Sequence, residues 1–133
     1  MPRSPAHDTA VWLSDNSFGT FGADSGWSIS VGTEPSKPDQ CITTYDTGGG
    51  VDQPDAQFDD PTMQVRVRAK TYIDGYDKAK AVRDSLILPT AKVIGDFLYT
   101  GFWIFTDIAM IGKDDNERCI FTFNLRLMRQ PTP

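Results

Sequence analysis

The chain has 133 residues, 39% of them apolar and 23% charged, with a formal net charge of −5. That is enough for one domain with its own core and too little for two. No apolar run approaches the roughly 18 residues a bilayer span needs, and no apolar stretch follows Met1-Pro2-Arg3-Ser4-Pro5, so neither a membrane helix nor a secretory signal is expected. Sequence-general nucleic-acid binding draws on a basic excess that is missing here. The expected setting is a cytoplasm, where Cys41 and Cys119 act as buried free thiols; a disulfide between them is the less favoured alternative.

Taken in order, Ser4-Pro5 is a helix start, with Ser4 as cap and Pro5 in the first turn. Ala6, Ala10, Val11 and Leu13 continue a short helix over 4–14 that Asp15-Asn16 can end. Residues 17–26 are rich in Gly and Ser and read as a loop. Trp27, Ile29 and Val31 alternate with serines, predicting a strand over 26–33, and the Pro- and Asp-containing segment 34–39 is turn chemistry. With a second short strand over 40–45, an early antiparallel hairpin is expected. The segment 46–61 is long for a connection inside a compact domain. It carries Asp46, Asp52, Asp55, Asp59 and Asp60 without a lysine or arginine, and is expected to be a mobile acidic loop that orders against a partner.

From Thr62 the pattern sharpens. Met63, Val65, Val67 and Ala69 alternate with Gln64, Arg66, Arg68 and Lys70, the period of a half-buried strand with a basic row on its other face. Asp74 is the expected cap of an amphipathic helix carrying Tyr76, Ala79, Val82, Leu86 and Ile87 on one face, with Pro89 ending it. Residues 91–100 suit either a strand or a helical turn. Strands are predicted over 102–105 and 106–111, the second a continuation past a bulge at Asp107. After a turn at 113–117, the last strand places Cys119, Phe121, Phe123, Leu125 and Leu127 on one face and Arg118, Thr122, Asn124 and Arg126 on the other. Residues 130–133 are left as a free tail. The expected class is α+β: a mostly antiparallel sheet against one or two helices, in a single compact domain with a long acidic loop.

Chemistry is sparse. His7, Cys41 and Cys119 are scattered, so no zinc set forms. Asp52, Asp55, Asp59 and Asp60 are hard oxygen ligands in the wrong order for a helix–loop–helix calcium site. No catalytic triad or phosphate loop can be assembled, and no cofactor or metal is expected. Asp46-Thr47-Gly48 matches the aspartic protease tripeptide, and Met110-Ile111-Gly112-Lys113-Asp114 resembles a later retropepsin segment; two chains would pair their Asp46 carboxylates. Against that reading stand the polar approach Thr43-Thr44-Tyr45, the helix after Asp74, and the strand pattern of 117–129. The bland alternative is that Asp46 and Gly48 turn the chain out of its strand. The basic residues Arg66, Arg68 and Lys70, with Arg118 and Arg126, are either a solvated face or a surface that docks a neighbour.

The ordered motifs from Val31 to Arg129 carry a resemblance. Val31-Gly32-Thr33-Glu34-Pro35 and Pro38-Asp39 precede Ile42-Thr43-Thr44-Tyr45-Asp46-Thr47-Gly48-Gly49. Met63-Gln64-Val65-Arg66-Val67-Arg68 follows, then Tyr72, Tyr76 and Ala79, and finally Ile111-Gly112-Lys113-Asp114 with Arg118, Phe121, Thr122, Phe123 and Asn124. This order resembles the tail terminator proteins of tailed bacteriophages, catalogued also as minor capsid or head–tail joining proteins. The resemblance implies a structural virion protein of the tail or neck, assembled in the host bacterial cytoplasm and not an enzyme. It would form a homo-oligomeric ring, a hexamer, that stops the tail tube and joins it to the head connector. DNA would pass the lumen without specific binding, and no membrane is involved. A connector or tail-completion role is the nearest alternative. Charge placement nominates Asp52, Asp55, Asp59, Asp60, Arg66, Arg68, Lys70, Arg118 and Arg126 as oligomer or partner contacts.

Overall fold

A computed structural model describes residues 3–49, 61–87 and 90–132. Helix α1 spans Pro5–Asp15, and strands β1 (Thr20–Phe21), β2 (Ser28–Val31), β3 (Cys41–Gly49) and β4 (Pro61–Ala69) follow. Helix α2 spans Tyr72–Leu86, and β5 (Lys92–Ile94), β6 (Phe97–Lys113) and β7 (Cys119–Pro131) complete the chain. The seven strands form one sheet in the order β1-β2-β3-β4-β7-β6-β5.

Strand alternation sets the layers. The cross-strand sets Ile42–Val67–Phe121, Thr44–Val65–Phe123 and Asp46–Met63–Leu125 put one row of side chains on a single face, and the apolar ones are almost wholly buried. Both helices lie on that face. Ala6, Ala10 and Leu13 of α1 and Ala79, Val82 and Leu86 of α2 join the same core. Gly75 marks the closest approach: a Cβ there would stand 2.7 Å from the Phe121 ring. The α+β class is therefore seen as a single sheet with helices on one side.

Several expectations are corrected. The sheet is mixed, because β1–β2 and β2–β3 pair in parallel, and the early antiparallel hairpin is absent. A four-residue strand rises only about 13 Å, so the nine residues of 32–40 are long enough to carry the chain back beside the start of β2. Residues 17–26 are not all loop, since β1 pairs with β2. The cap of α2 is Thr71, whose hydroxyl accepts from Asp74 N at 3.2 Å; Asp74 lies in the first turn. Residues 92–94 are a strand, joined to β6 by the two-residue turn Gly95-Asp96 with Gly95 at φ +58. The tail is tied down as far as Thr132: Gln130 and Pro131 pair with Leu98 and Phe97, and Thr132 N donates to Asp96 O. The two segments expected across 102–111 are one strand, β6, and its irregularities include one between Thr106 and Ala109. Helix α1 starts as read, Ser4 accepting from His7 N.

Candidate functional site

The basic row is drawn into the chain's own architecture. Segment 32–40 crosses the sheet face opposite the helices, and one arginine from β4 and one from just before β7 hold it. Arg68, 3% exposed, donates to Pro38 O at 2.7 Å and Asp39 O at 3.3 Å. Arg118, 5% exposed, donates to Ser36 O at 2.7 Å and pairs with Asp114 at 2.8 Å and Asp39 at 3.4 Å. Glu34 lies 3.6 Å from Arg66 and 3.8 Å from Arg68. Buried guanidiniums bonded to backbone carbonyls answer a loop that has no ladder of its own. Arg68 and Arg118 therefore serve the fold, which alternation along β4 and β7 could not reveal.

Lys70 differs. Lys70 is exposed and only 3.8 Å from Asp39 at its nearest charge. Arg126 lies on the outer face of β7, opposite Trp103. Asp52, Asp55, Asp59 and Asp60, together with most of the acidic segment 46–61, lie outside the described residues. Among the described residues no three His, Cys, Asp or Glu side chains come together as a metal cluster.

Asp46 has a local structural role. It sits within β3 opposite Met63, and its carboxylate accepts from Ala6 N at 2.9 Å while Thr44 Oγ1 donates to Ala6 O at 2.8 Å. One strand thus holds the first turn of α1, where an acidic group suits the exposed N–H groups and the helix dipole. The chain does not turn away at Asp46; pairing continues, with an irregularity, to Gly49 opposite Pro61.

A cluster without a sequence signal fastens α1 from its other side. The buried Asp8 carboxylate accepts from Tyr99 Oη at 2.6 Å and Arg3 Nε at 2.8 Å, with Arg129 Nη1 at 3.7 Å. Arg129 also donates to Arg3 O at 3.0 Å and lies 3.8 Å over the Phe97 ring. Burial, and then the bond to Asp8, push the Tyr99 phenol well above its ordinary value.

The second half of β6 is the most exposed apolar part of the sheet. Beyond Tyr99 its outer edge has no partner strand among the described residues. Its pairing with β7 slips four times, leaving Thr100, Phe105, the 107–108 pair and Ile111 out of register. These bulges turn side chains outward: Phe105 is 68% and Ile111 55% exposed, with Trp103 at 50%. Arg83 of α2 braces this arm by donating to Asp107 at 2.7 Å. That bond, more than any other influence, holds the Asp107 carboxyl below its usual range.

The described residues thus present an exposed apolar stretch on β6 and arginines used as struts under segment 32–40. Residues 12–130 match the family model described as bacteriophage tail terminator protein. No curated protein matched the chain. The match spans most of the sequence, and the chain belongs to the bacteriophage tail terminator family. Its role is accordingly structural, in a phage tail. Family membership is consistent with a non-enzymatic protein and implies contact with other tail or head components. No helix among the described residues is long and apolar enough to cross a membrane.

Proposed function

We propose that the protein forms a ring of six at the head-proximal end of a tail tube, stops tube growth, and joins the tail to the head connector. The observation that carries this reading is the family match over residues 12–130. A closed ring repeats one heterologous contact, and charge supports one: Asp52, Asp55, Asp59 and Asp60 of one subunit against Lys70, Arg66 and Arg126 of the next. Arg68 and Arg118 contribute indirectly, by fixing the loop that Lys70 borders. A net charge of −5 suits a lumen that lets DNA slide, because a basic wall would hold its phosphates.

Light scattering on the purified protein tests the reading. The expected mass is six chains, and Lys70→Glu lowers it while circular dichroism stays unchanged. Added to polymerising tube subunits, the wild type caps tube length. Protein that leaves tube growth untouched yet binds head connectors would instead fit the connector role.

A further inference from the structure

We draw no further inference here: the strongest candidate, the exposed apolar stretch of β6 around Trp103, Phe105 and Ile111, divides its side chains between the two faces of the sheet, Trp103 lying opposite Arg126 but Met110 opposite core-facing Phe121, and nothing in the structure shows what covers it.

Discussion

Asp8 shows how much one buried side chain can hold. Its carboxylate is the shared acceptor for Tyr99 and Arg3 and the nearest anion to Arg129. Replacing it weakens the bonds that Tyr99 and Arg3 make to one buried charged acceptor, and hydrogen bonds to a charged group are stronger than neutral ones. Asp8→Asn is expected to destabilise by about 2 kcal/mol, and Tyr99→Phe by about 1 kcal/mol, read from urea midpoints. The Tyr99 phenol is raised above its ordinary 10.0, so the folded state favours the protonated form. Its contribution is complete below that pH and is lost as pH rises beyond it. The urea midpoint of Tyr99→Phe is therefore expected to fall less steeply than that of the wild type above about pH 10. None of this was legible in the sequence. Asp8, Tyr99 and Arg129 belong to no common motif, and 91 positions separate the first two.

At the scale of the element, the two helices differ in what their sequences disclose. Ser4-Pro5 states its own start, whereas two residues compete to begin α2, and the hydroxyl that accepts a backbone N–H decides between them. Thr71→Ala is expected to cost about 1 kcal/mol, and Asp74→Ala only about 0.5 kcal/mol through the dipole. Thermal unfolding of the two variants checks the order, and the reverse order would restore Asp74 as cap. Alternation made β4 and the core face of β7 readable, because a period of two survives whatever the strand pairs with. The direction of β2 was not readable. It depends on segment 32–40 being held by Arg68 and Arg118, which arrive much later in the chain. The same two arginines looked like surface charges for the same reason: alternation tells which face a residue takes, not what covers that face.

For the whole molecule, the ordered motifs from Val31 to Arg129 carried the family where no single residue did. The family match over 12–130 also takes in residues 12–30, which those motifs left out. The outward patch of β6 escaped notice because an apolar run reads as buried, and only the slips against β7 turn Phe105 and Ile111 outward. The Asp8–Tyr99 bond has a consequence in time as well as in strength. The arm of β6 and β7 closes through a short turn at Asp114–Arg118, but α1 must find partners whose separation makes closure slow in entropy. Stopped-flow chevrons are expected to show Asp8→Asn accelerating unfolding with little change in the folding rate, while Phe121→Leu slows folding; equal slowing by both would contradict this. Helix α1, made before every strand it packs against, would then be the last to come to rest, waiting for partners not yet synthesised.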